Sequence, residues 1–393
     1  MMKRLLLGLS FIACCAMHSS AQVIDSVLNK ASNQPFNFTV AVPDGNYRVT
    51  VTLGNKKKAG QTVVRAESRR HYVDMVATKK GKYETVSFIV NKHNPVIKGN
   101  ERVKLKPREV EYKNWDDSLN LSFCGIAPAV QRIKIEPVTD VTTIFLCGNS
   151  TVVDQENEPW ASWGQMITRW FGPQVAIANF AESGLSCTTF LAQLRLDKIL
   201  SQLKKGDYVI VEFGHNDEKE KKAGDGAWYS YSRNLKIFAD RVKAAGGNII
   251  FCTPTARRSF DNNGHINNTH GDYPEAMKTV AQREQVPVVD LTRMSTLFYE
   301  ALGVEGSKKA LVHYPANTFA NQEKPLADNT HFNPFGAWEI AKMVVMGLKQ
   351  LNSPLAGYLL PEWQDFDPAH PDNPDTFVWQ MSSGSNITKP DGN

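Results

Sequence analysis

The chain has 393 residues, 42% of them hydrophobic and 22% charged, with a formal net charge of +5. That length and apolar content are enough for two domains with buried cores and exclude a disordered chain. The mild basic excess forms no stripe interleaved with aromatics, so the footprint of a nucleic-acid binder is missing.

Residues 1–21 read as a signal peptide: Lys3 and Arg4 precede the apolar run Leu5 to Cys15, and the small residues Ser19-Ser20-Ala21 precede Gln22. The run is too short to span a bilayer, and no other stretch reads as a transmembrane segment. Cleavage is expected after Ala21, which leaves a charge of about +3. Lipid attachment at Cys14 or Cys15 is the second reading, and Phe11 fits it poorly. The protein is therefore expected to be exported, to a periplasm or outside the cell.

Residues 22–139 read as a β-sandwich domain. "FNFTVAVPDGNYRVTVTLG" alternates apolar and polar residues, with Asp44-Gly45 as a hairpin-type turn, and "TVVRAESRRHYVDMVAT", "YETVSFIVN" and "LNLSFCG" continue the pattern without helices. Such a module serves as a scaffold or binds sugar, and no binding face stands out.

Residues 140–360 change character. Strand candidates Ile144 to Cys147, Val175 to Ala178, Tyr208 to Phe213, Ile249 to Cys252 and Val286 to Leu291 alternate with helical patterns, the signature of a parallel α/β sheet. Trp160, Trp163 and Trp170 are expected to bury one helix. Asn333 and Pro334 start the last helix, whose apolar residues recur at helical spacing from Trp338 to Leu351. Residues 361–393, rich in Pro and Asp, read as a C-terminal tail over the surface or partly disordered. The cysteines left after cleavage, Cys124, Cys147, Cys187 and Cys252, lack metal-site spacing and read as buried thiols, with one disulfide left open.

In an open α/β sheet, ligands sit at the carboxyl ends of the strands. Polar clusters collect there: Gly148-Asn149-Ser150-Thr151, Ala181-Glu182-Ser183-Gly184, Gly214-His215-Asn216-Asp217, and "ADNTHFNPFGA" with Asp328 and His331 three apart. A serine hydroxyl needs a base, and an imidazole base needs a carboxylate to fix its tautomer. Ser150, His331 and Asp328 supply those groups. The backbone amides of Ser150 and Gly184 and the side-chain amide of Asn216 supply donors for an oxyanion.

These blocks resemble those of the SGNH, or GDSL, hydrolases: Ser150 in "GNST", Gly184 in "ESG", Asn216 in "GHND" and His331 in "DNTH". Within that superfamily the chain is most similar to rhamnogalacturonan acetylesterases, through "GNST", "FGHND", "TPTARRSF" and the preceding β-domain. The resemblance implies a flavodoxin-like sheet, no metal or other cofactor, and removal of acetyl groups from a pectic backbone. Asn149 departs from it, because the family has Asp there. Asn149-Ser150-Thr151 is also a glycosylation acceptor, so a working Ser150 suits a bacterial source. Arg257 and Arg258 follow the fourth strand and are candidates to grip a galacturonate carboxylate. The alternatives are an esterase for acetylated xylan or a lipid ester, and an inactive carbohydrate-binding relative. Oligomeric state is open.

Overall fold

The computed structural model describes residues 22–382 and residue 389; the signal-peptide reading of residues 1–21 falls outside them. Ten strands come first: β1 Ile24–Ala31, β2 Phe36–Ala41, β3 Gly45–Leu53, β4 Gly60–Ala66, β5 Arg70–Thr78, β6 Glu84–Lys92, β7 Val96–Lys98, β8 Glu101–Arg102, β9 Ser118–Ala127 and β10 Ala129–Val138. Strand β3 shows why they form. Tyr47, Val49, Val51 and Leu53 point inward at every second position, while Arg48, Thr50 and Thr52 are less buried, the period that one covered sheet face imposes.

Strands β2-β9-β4-β5 make one sheet and β1-β10-β3-β6 line up in another. Between them Tyr47, Val49, Val51, Leu121, Phe123 and Ile133 form a core. The turn at Asp44-Gly45 is not a hairpin, because β2 pairs with β9 and β3 with β10 and β6. It is a corner between the sheets. Asp44 pins it by accepting from Lys92 at 3.1 Å, from Lys198 at 2.8 Å and from the backbone of Asn94 at 2.9 Å.

The parallel strands are β11 Thr142–Gly148, β12 Val175–Asn179, β13 Tyr208–Glu212, β14 Asn248–Cys252 and β15 Val288–Val289, in the order β12-β11-β13-β14-β15. This flavodoxin-like order reverses direction between β11 and β13, where open α/β sheets bind ligands. Helices α1 Trp163–Met166, α2 Cys187–Ala192, α3 Arg195–Gln202, α4 Ser232–Ala244, α5 Tyr273–Glu284, α6 Leu291–Gly306 and α7 Pro334–Gln350 cover the two faces. Along β11, Ile144 and Leu146 join the core beneath α7, and Phe145 and Cys147 join the opposite core against Phe190 and Phe238. Burial on both faces explains why this strand reads as an unbroken apolar run. Asn333 caps α7 by accepting from the Gly336 amide at 3.0 Å.

Two features were not legible in the sequence. Strand β6 of the strand-rich half pairs in parallel with β12 at Val90 and Ile177, so one of its sheets runs on into the α/β sheet as nine strands. A two-stranded ribbon, β16 Leu311–Tyr314 with β17 Leu326–Phe332, precedes α7. Trp160, Trp163 and Trp170 are all buried, although α1 is short and Trp170 ends a 3₁₀ turn. All four described cysteines are buried free thiols. The described part of the tail lies on the surface, with Trp363 edge-on to Trp170 at 5.1 Å. No described helix is long and apolar enough to cross a membrane.

Candidate active site

Strand β11 ends at Gly148, where an added Cβ would sit 2.4 Å from Val152. The chain can therefore fold back sharply there. Asn149 closes the turn: its carbonyl accepts from the amides of Val152 and Val153 at 3.0 and 2.9 Å, and its side-chain oxygen from the Thr151 amide at 3.1 Å. That side-chain bond is an Asx turn. It leaves Ser150 at the carboxyl edge of the sheet.

Asp328 and His331 both lie in β17. The His331 Nε2 is 2.8 Å from the Ser150 hydroxyl, and its Nδ1 is 2.8 Å from Asp328 Oδ2. Asp328 Oδ1 accepts from the amides of Thr330 and His331 at 2.9 and 3.0 Å. Burial works against the charged carboxylate, but the hydrogen bonds from His331 and the amides outweigh it, and Asp328 is held well below the usual carboxylate range. An ionised carboxylate only accepts, so Nδ1 carries the proton and Nε2 offers its lone pair to Ser150. Asp328 does not cap α7. That task belongs to Asn333.

Gly184 has φ +78°, a left-handed conformation suited to glycine. Among the described residues, neither its N–H nor that of Ser150 has a protein acceptor. Asn216 donates one amide hydrogen to the Leu185 carbonyl at 3.0 Å, which leaves the other for a ligand and ties the block after β13 to the block after β12. Asp217 adds a second tie, accepting from the Cys187 amide at 2.8 Å and the Gly214 amide at 3.0 Å. Burial pushes its carboxyl up to about 7.

The candidate cations behave differently from the triad. Arg257 pairs with Glu218 and donates to the His215 carbonyl at 3.3 Å. Arg258 donates to Ser307 at 3.0 Å and to Asn329 at 3.2 Å, and its own amide donates to the Asn329 carbonyl at 2.9 Å. Both guanidiniums thus have protein partners, and Arg258 braces the run that carries Asp328 and His331.

Glu212, the last residue of β13, escaped the sequence reading. It is fully buried and accepts from Trp163 Nε1 at 2.6 Å. The Thr151 hydroxyl lies 3.0 Å from it and 2.9 Å from the Asn149 side-chain oxygen. Burial pushes Glu212 up to about 7 against the hydrogen bonds from Trp163, Thr151 and Thr255. A lone carboxylate inside the apolar run "YVIVEF" was the available signal.

The family model described as GDSL-like lipase/acylhydrolase matches residues 146–338, a span holding Ser150, Gly184, Asn216, Asp328 and His331. The chain is 39% identical over 219 residues to the rhamnogalacturonan acetylesterase RhgT of Bacillus subtilis (strain 168), a match covering 55% of this chain and 94% of that one. The chain belongs to the GDSL-like lipase/acylhydrolase family. As a member of it, the protein is an enzyme, a serine hydrolase. It is also 31% identical over 224 residues to a probable rhamnogalacturonan acetylesterase, YesY, of the same organism, covering 56% of this chain and 98% of that relative. With the uncharacterized esterase YxiM of the same organism it shares 26% identity over 324 residues, 81% of this chain and 75% of YxiM. The crystal structure of YxiM covers 84% of this chain and 88% of its own at a TM-score of 0.48 and 23% identity.

Proposed function

We propose that this carbohydrate acetylesterase removes O-acetyl groups from a pectic polysaccharide such as rhamnogalacturonan, with Ser150 as nucleophile, His331 as base and Asp328 as the group that orients the imidazole. The observation that carries the chemistry is the continuous chain from Asp328 Oδ2 through His331 to Ser150 Oγ, with both links at 2.8 Å. His331 Nε2 takes the serine proton as Oγ attacks the acetyl carbonyl, and the oxyanion is met by the amides of Ser150 and Gly184 and by Asn216. Collapse expels the sugar hydroxyl, which receives its proton from His331, and water then releases acetate by the same steps.

The choice of a pectic polymer rests on the names of the relatives RhgT and YesY. The leader-like composition of residues 3–21 supports export to the compartment where such a polymer is met. Acetate release from acetylated rhamnogalacturonan, compared with acetylated xylan and longer acyl esters, tests the reading. It predicts the highest kcat/KM on rhamnogalacturonan, and none for Ser150→Ala. A clear preference for xylan or for long acyl chains would overturn the substrate.

A further inference from the structure

The match to RhgT takes up 94% of that relative but only 55% of this chain, so the strand-rich half has no counterpart of its size there. In this protein it does not sit apart. The turn joining β4 to β5 reaches under the loop that follows Ser150. Its backbone is unusual, with Glu67 at φ +52° and Arg69 at φ +66°, a left-handed conformation that is unfavourable for non-glycine residues and persists only where the surroundings enforce it.

The turn places two arginines in the interior. Arg70 is fully buried, with its Nε 2.6 Å from Asp154; the same carboxylate accepts from Asn179 at 2.8 Å. Arg69 donates to the carbonyls of Gln155 and Trp160 at 2.8 and 3.0 Å. Gln155 in turn donates through its side-chain amide to the carbonyl of Ser150 at 2.9 Å. Gln165 ties the same strands of chain together, donating to Ser68 at 2.8 Å and Gln155 at 2.9 Å. A chain of buried hydrogen bonds therefore runs from the β4–β5 turn to the backbone of the serine.

We propose that the strand-rich half is a working part of the esterase site, in which Arg69, acting through Gln155, is a positioning residue for Ser150. The inference rests on Ser150 being the nucleophile. Its physical basis is that a buried carbonyl left without a donor relaxes toward another partner, and a small displacement of a nucleophile costs up to about a hundredfold in rate. The chain meets Ser150 at its carbonyl and includes neither Gly184 nor the Asn216 side chain, so the expected effect falls on turnover.

The test uses the full chain with p-nitrophenyl acetate and thermal unfolding by circular dichroism. Folded Arg69→Ala is expected to lose about 10- to 100-fold in kcat with KM within about threefold, Arg69→Lys to recover most of that loss, and Gln155→Leu to match Arg69→Ala. The Arg69→Ala, Gln155→Leu double change should add little to either single change, as for residues acting in one network. Wild-type kcat in folded Arg69→Ala or Gln155→Leu, or losses that multiply in the double variant, would overturn the proposal. Should Arg69→Ala not fold, Gln155→Leu, which cuts the same chain from the other side, decides it. Ser150→Ala in the same assay separates the two readings: if it stays active the nucleophile is misassigned, whereas an inactive Ser150→Ala beside a fully active Gln155→Leu counts against positioning alone.

Discussion

The imidazole of His331 meets the hydroxyl of Ser150 at 2.8 Å across 181 residues of sequence. Nucleophile and base act as a unit, so Ser150→Ala and His331→Ala are each expected to lower kcat by on the order of a million-fold, with little further loss in the double variant. Asp328→Asn is expected to cost roughly 10⁴-fold, because an amide at that position no longer enforces the proton on Nδ1. Steady-state kinetics on a small acetyl ester check all three. A Ser150→Ala protein with more than a few per cent of wild-type rate would remove serine from the role.

Asn216 spends one amide hydrogen on Leu185. If the second serves the oxyanion, Asn216→Ala should lose roughly 10²- to 10³-fold in kcat. Its tie to Leu185 also predicts a modest drop in thermal midpoint. Loss of stability with unchanged kcat per folded molecule would make it a structural amide only.

The Asn149 side-chain oxygen accepts from Thr151, while its amide nitrogen is buried and has no partner among the described residues. An aspartate keeps both acceptor contacts, so Asn149→Asp is expected to stay within about tenfold of wild-type activity. A new carboxylate favours the imidazolium form of any histidine near it, so the acidic limb of kcat/KM against pH should stay in place or move to higher pH. A limb displaced to lower pH, or collapse of a folded variant, would contradict this.

Glu212 keeps its proton in the folded protein up to pH about 7, against an ordinary value of 4.5. The unfolded chain therefore loses that proton first, and stability should fall as pH rises from about 4.5 to about 7. Asp217, also pushed up to about 7 by burial, adds to the same trend. Glu212→Gln removes one contribution, so its stability relative to wild type should be better at pH 8 than at pH 5 by up to about 3 kcal/mol. Urea unfolding at the two pH values measures the difference; an equal effect at both would mean that Glu212 does not titrate in this range.

The sequence by itself determined the parallel sheet, the capping of α7 and the residues of the hydrogen-bonded triad. Each is written in local terms: apolar runs buried on both faces, Asn333 before Pro334, and polar clusters directly after strands. Tertiary structure decided what depends on partners far along the chain. Pairing of Val90 with Ile177 merges two apparent units into one sheet, and nothing in either strand's own pattern names its neighbour. Asp44-Gly45 has the composition of a hairpin turn, yet contacts to Lys92 and Lys198 make it a corner between sheets. Arg70 and Asp154 become a fully buried pair only when the strand-rich half closes on the loop behind Ser150. Local periodicity reports which face is covered, whereas the identity of the covering element is a property of the folded chain.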